Sequence, residues 1–168
     1  VSEGLDDVRA VEIQFRYAFV CDRDGIKVFE VTDLKAPRHV ATLPMKDARN
    51  IYVARSYAYV AAGRGGLKIL DVTNPERPML DQVFDAKGKV NDLNDVKLGI
   101  TNVSEFAYLA DGCNGLRVVQ LTSASTPGND GFSPRPIPRL VATYPLPHGS
   151  KALAVSEGSC ENRVSKTI

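Results

Sequence analysis

Apolar and polar residues alternate along most of this chain in short runs, each closed by glycine, proline, aspartate or asparagine. Alternation with a period of two places every second side chain on one face of an extended strand. Three segments share one frame: residues 17–32 (YAFVCDRDGIKVFEVT), 57–73 (YAYVAAGRGGLKILDVT) and 106–122 (FAYLADGCNGLRVVQLT). In each, an aromatic-Ala-aromatic-aliphatic run predicts a strand, a glycine-rich stretch reverses the chain, and a second alternating run pairs back as a β-hairpin. Gly25, Gly66 and Gly115 stand immediately before the second strand, where a hairpin commonly needs a positive φ.

A breaker follows the first two hairpins, residues 33–37 and 74–78, and then an alternating run at 38–43 or 79–84. Proline belongs at the start or edge of a strand because it has no N–H for the ladder, so these runs are predicted as outer strands. Short apolar runs at 9–13, 49–53 and 95–100 precede the hairpins and are predicted as the inner strands. Tyr17 and Tyr57 are 40 positions apart, and Tyr57 and Phe106 are 49 apart. A period of about 40 residues suits a four-stranded propeller blade. Helical periodicity extends over no more than a few residues, and ten prolines and thirteen glycines punctuate the chain, so the expected class is all-β.

Residues 67–78, LKILDVTNPERP, resemble the LVIVD repeat: Gly-Leu, aliphatic residues, then Asp-Val-Ser/Thr-x-Pro-x-x-Pro. The preceding YAYVA at 57–61 agrees with the Ala-Tyr-Val-Ala strand of that family. The first copy departs from the pattern at Phe29 and Glu30 and keeps one proline, Pro37; the third has Gln120 where the family has Asp. The resemblance covers roughly residues 7 to 155. It implies β-propeller blades in a bacterial or archaeal protein that is often exported or on the cell surface, and it implies no particular reaction.

The expected organisation is an LVIVD-type segment over residues 1–155, with blades at about 7–47, 48–88 and 89–149, the first strand of a fourth at 150–155, and a tail at 156–168. Known propellers use about four to eight blades. Three do not close a ring, so the expectation is a larger propeller, completed by protein partners or by remaining propeller sequence.

Composition narrows the partners. Lys and Arg number 21 against 20 Asp and Glu, a formal charge of +1, so no global field favours nucleic acid or an anionic membrane. No apolar run approaches the roughly 20 residues of a membrane-spanning helix, and the first residues do not read as a signal peptide, so any export signal is expected to have been removed already. Cys21, Cys113 and Cys160 lie far apart with no CxxC, so no metal cage is expected and at most one disulfide can form within the chain.

In a propeller the hairpin turns and the connections between blades share one rim. Arg9, Arg49 and Lys151 align at the heads of inner strands there, and Arg64 lies in a hairpin turn; such cations are candidates to hold an anion or an acidic partner loop. The third unit interrupts that ring with Asn94 and Asp95. His39 and His148 are 109 positions apart, and GxSxG and HExxH are absent, so nucleophilic and zinc hydrolysis have no motif. No cofactor is expected. The acidic stretch of Asp81, Asp85, Asp92 and Asp95 leaves Ca2+ as the one ion to consider, although it lacks EF-hand order. Residues 123–138, SASTPGNDGFSPRPIP, carry four prolines and two glycines, which predicts a stiff surface loop presenting Phe132, Arg135 and Ile137 to a partner or folding against its own blade. The expected function is a non-catalytic interaction or scaffold module of an extracytoplasmic, periplasmic, secreted or cell-surface assembly. The alternatives are part of a propeller enzyme (hydrolase, lactonase or redox) completed elsewhere, and an accessory subunit of an electron-transfer complex.

Overall fold

The structure, a computed structural model, describes residues 4–156. The expected tail, apart from Ser156, and Cys160 lie outside the described residues. Among the described residues, twelve strands form three four-stranded sheets. The first holds β1 (Ala10–Gln14), β2 (Tyr17–Cys21), β3 (Gly25–Glu30) and β4 (Arg38–Pro44). The second holds β5 (Asn50–Ala54), β6 (Tyr57–Ala61), β7 (Leu67–Asp71) and β8 (Met79–Phe84). The third holds β9 (Asp95–Ile100), β10 (Glu105–Ala110), β11 (Leu116–Thr122) and β12 (Arg139–Tyr144). Each is an antiparallel meander in chain order, and among the described residues there is no helix. β1 touches β5 and β5 touches β9, so the first strand of each sheet lies innermost. These are three propeller blades, and the sheets do not close into a ring.

Two of the predicted inner strands start one residue later than expected. The backbone N–H groups of Arg9 and Arg49 still donate to the carbonyls of Cys21 (2.9 Å) and Ala61 (2.8 Å), so both arginines close the ladder from just outside it. Each outer strand carries one extra residue at the same frame position, opposite Val28, Ile69 and Val118. Such a bulge sharpens the local twist and turns the following side chains.

Two clusters hold the blades together. Between the first and second blades, Tyr17, Phe19 and Cys21 of β2 face Ile51, Val53, Ala58 and Val60. Between the second and third, Tyr59 and Ala61 of β6 face Val96, Leu98, Ala107 and Leu109. The alternating run at 57–61 therefore differs from a half-buried strand: one set of side chains faces the first blade and the other set the third. That is why its polar positions have disappeared. Full burial of each aliphatic side chain contributes about 1.5–3 kcal/mol.

Candidate functional site

The rim is built from the hairpin turns and the connections between blades. Asp7-Val8-Arg9, Asp47-Ala48-Arg49 and Asp92-Leu93-Asn94 occupy equivalent places ahead of the three inner strands. Arg9 binds Asp7 (Nη2 to Oδ2, 2.9 Å) and reaches across to Asp47 (Nη1 to Oδ1, 3.3 Å). Arg49 donates to Asp47 through Nε and Nη2 (3.0 and 2.8 Å), and through Nη1 to Asp92 (3.0 Å) and Asn94 (2.7 Å). Asn94 Nδ2 then donates to the carbonyl of Ala152 (3.1 Å). The rim is thus a ladder of alternating carboxylates and guanidinium groups from blade to blade. The hydrogen bond to Asp47, against the cost of burial, and that to Asp92 favour the charged form of Arg49.

Glycine makes room for this ladder. A Cβ on Gly63 would lie 1.9 Å from Asp47 Oδ2, and one on Gly112 would lie 2.0 Å from Asp92 Oδ2. Both glycines also bridge to the next inner connection, Gly63 with Leu93 and Gly112 with Ala152. Ala152 stands to the third blade as Leu93 stands to the second.

Of the cations read from the sequence, Arg9 and Arg49 are therefore neutralised within the ladder. Arg64 and Lys151 are exposed and have no ionic partner among the described residues. Arg64 lines a polar cleft of about 560 Å³ with Asn91, Asp92, Cys113 and Asn114. The Asp81, Asp85, Asp92 and Asp95 carboxylates do different work: Asp81 pairs with Arg135, Asp85 accepts from the N–H of Lys87, Asp92 pairs with Arg49, and Asp95 accepts from the N–H groups of Val96 and Val155. Among the described residues no three His, Cys, Asp or Glu side chains gather so as to hold a metal. His39 is occupied by Thr42 (2.9 Å) and by the edge of Phe29.

Two buried carboxylates escaped the sequence reading. Asp22 and Asp111 follow the first hairpin strand at the same frame position and are fully buried. Asp111 accepts from the N–H groups of Asn91 and Asp92 (3.1 and 2.9 Å) and pairs with Arg117 (3.2 Å). Asp22 pairs with Lys27 at 2.5 Å and accepts from the N–H groups of Asp24 (2.9 Å), Gly25 (3.1 Å) and Asp6 (3.4 Å). Each ties its hairpin turn to the connection entering the same blade. Their signal was an acid at the end of an otherwise apolar strand, repeated at one frame position.

The proline-rich insertion lies at the other end of the blades and folds against the second blade as well as its own. Arg135 grips Asp81, the extra residue of the β8 bulge, through Nε (3.1 Å) and Nη2 (2.9 Å). Gln82 donates to the carbonyl of Pro136 (2.9 Å), and Ser56 Oγ donates to Ser133 Oγ (2.5 Å). Arg135 is thus held within the chain, whereas Phe132 and Ile137 remain exposed, with Phe132 beneath the Arg55 guanidinium. Because the Arg135 side chain is itself 65% exposed, Arg135→Ala is expected to cost less than about 1 kcal/mol in urea unfolding. The same variant should be cut faster within residues 123–138 in limited proteolysis.

Comparison with known proteins bears on the fold. The chain is similar to the computationally designed Ika4 protein, with a TM-score of 0.55 and 12% identity over 95% of this chain and 84% of that one. KlHsv2 with loop 6CD replaced by a Gly-Ser linker gives a TM-score of 0.44 and 13% identity over 81% of this chain and 40% of that one. No curated protein sequence matches the chain. The LVIVD repeat model matches residues 46–86 and 102–129, that is, the whole of the second blade and the β10–β11 hairpin of the third.

Proposed function

We propose that this chain is a non-catalytic interaction module whose two outer blade faces are each covered by a further blade of the same frame, supplied by a protein partner or by further propeller sequence. One observation carries the reading. Inside the molecule the same interface occurs twice: an aromatic face (Tyr17, Phe19, Cys21, then Tyr57, Tyr59, Ala61) meets a face of small and branched residues (Ala58, Val60, then Ala107, Leu109). Each half recurs on an outer blade with part of its apolar surface exposed. Phe106, Tyr108 and Ala110 continue the aromatic series on the third blade, and Tyr108 is 38% exposed where its counterpart Tyr59 is 1% exposed. On the first blade Ala18 and Val20 continue the other series; they are themselves buried with Phe29, Leu5 and Val31, but their β1 partners Val11 and Ile13 stand exposed. Faces related in this way join head to tail, and repetition continues until a ring closes. The setting we propose, an extracytoplasmic or cell-surface assembly, is the one the LVIVD resemblance implies.

The test is sedimentation velocity together with the intact mass of everything that co-purifies. Self-association or an accompanying polypeptide, lost in Tyr108→Arg, is the expected result. A monomer with nothing bound, unchanged by Tyr108→Arg, would overturn the reading.

A further inference from the structure

At the end of the blades opposite the rim, the insertion roofs a cleft of about 340 Å³ between the second and third blades. Its lining includes Glu105 at the head of β10, Arg55 in the turn between β5 and β6, and Phe132 of the insertion. Glu105 is 7% exposed, and its Oε1 is fully buried with no hydrogen-bond partner. Its backbone N–H, in contrast, is satisfied by Thr122 Oγ1 (3.1 Å). A buried carboxyl oxygen with no donor costs about 1–3 kcal/mol, more when charged, so it calls for a reason. Burial pushes its pKa up, and the nearby charge of Arg55 offsets part of that.

The blade frame does not ask for an acid here. The equivalent residues are Arg16 and Ser56. The bulge between Glu105 and Phe106 and the insertion at 123–138 occur in this same third unit. Asn129 anchors the insertion on the carbonyl of Val103 (3.2 Å).

Arg55 is positioned just as deliberately. Its backbone is held in the left-handed region (φ 57°) by Gln14 of the first blade, which accepts from its N–H (2.9 Å) and donates to its carbonyl (2.7 Å). Its guanidinium lies 5.8 Å from the Phe132 ring centroid and forms no ion pair among the described residues, Glu105 included. One cleft therefore holds a carboxyl without a donor and a guanidinium without an ion-pair partner, the guanidinium lying over an aromatic ring.

We propose that this cleft binds a small zwitterion of amino-acid size, its ammonium donating to Glu105 and its carboxylate facing Arg55. The volume lies within the usual range for small-ligand sites, at its lower end. An ammonium in the cleft donates to the Glu105 carboxyl, reaching the buried Oε1 once the carboxyl turns about its last bond, and favours the ionised form, so binding at neutral pH releases protons to the extent that Glu105 is protonated beforehand. This site lies away from the blade faces invoked above and stands without them.

The experiment is calorimetric titration of the whole chain with glycine, L-alanine and L-leucine, and with methylammonium and acetate as single-charge probes. Saturable binding of at least one amino acid is expected, with either single-charge probe at least tenfold weaker. Glu105→Gln, which keeps the shape of the side chain, should weaken that binding at least tenfold, as should Arg55→Ala. Amide shifts on binding should map to residues 101–105 and 129–132. The proposal fails if no amino acid binds a chain shown to be folded by circular dichroism, if acetate binds as well as the amino acids, or if Glu105→Gln binds as tightly as the parent.

Discussion

Gly115→Ala is expected to destabilise the protein by about 2–5 kcal/mol, measured by urea unfolding. Gly115 has φ 86°, a region that costs an L-residue about 1–2 kcal/mol. Its new Cβ would also lie 2.2 Å from the carbonyl oxygen of Tyr144 and 3.1 Å from Pro145 Cα, both backbone atoms that move only with the end of β12. Overpacking of that kind adds about 1–3 kcal/mol. The equivalent contacts at Gly25 (Leu43 oxygen, 2.3 Å) and Gly66 (Phe84 oxygen, 2.7 Å) predict the same behaviour in the other two blades. Gly88 is the control: its φ is 79°, but a Cβ there meets nothing within 4 Å, so Gly88→Ala should cost only about 1 kcal/mol. Equal costs at Gly88 and Gly115 would show that the close approach of the outer strand is immaterial.

Asp111→Ala is expected to cost about 3–5 kcal/mol, because it removes the acceptor of two backbone N–H groups and leaves the nearly buried Arg117 without its counter-charge. Residual hydrogen bonds from Arg117 to Thr143 and the carbonyl of Lys89 place the value toward the low end. The matching clip in the first blade adds a pH dependence. Burial would raise the Asp22 carboxyl, but the hydrogen bond from Lys27 and those from three backbone N–H groups hold it below the ordinary carboxylate range. A depressed folded pKa gives stability that is present above the unfolded value, about 3.9, and lost as pH falls through the folded one. Lys27 is raised, chiefly by Asp22, so its contribution is full below about 10.4 and is lost as pH rises through its folded value. Asp22→Ala should therefore flatten the acid limb of a stability profile. An unchanged limb would mean that the acid transition comes from other carboxylates.

The repeat was readable because each blade must solve the same local problem. A strand that packs on both faces needs apolar residues at Tyr57–Ala61, a tight return needs glycine, and an outer strand tolerates proline. The heads of the inner strands were readable as positions but not as a charge pattern. Arg9 and Arg49 stood out as cations, although Asp7, Asp47 and Asp92 lay two residues before the head of each strand. Whether those charges add into a ring or cancel along a ladder depends on pairs 38 and 43 positions apart, Arg9 with Asp47 and Arg49 with Asp92. Likewise, the stiffness of the insertion followed from its prolines. Its docking on the second blade followed from the bulge that presents Asp81, 54 positions away from Arg135.

Local chemistry alone thus sets the strands, the turns, the period and the likeness to the LVIVD repeat, since each depends on residues within one blade. The arginine–aspartate ladder and the cleft around Glu105 exist only once blades stand side by side, and the buried clips at Asp22 and Asp111 only once a blade has closed onto the connection that enters it. Their reason is geometric: burial and counter-charge belong to pairs of surfaces, and twelve strands arranged about an axis bring together surfaces that lie a whole blade apart along the chain.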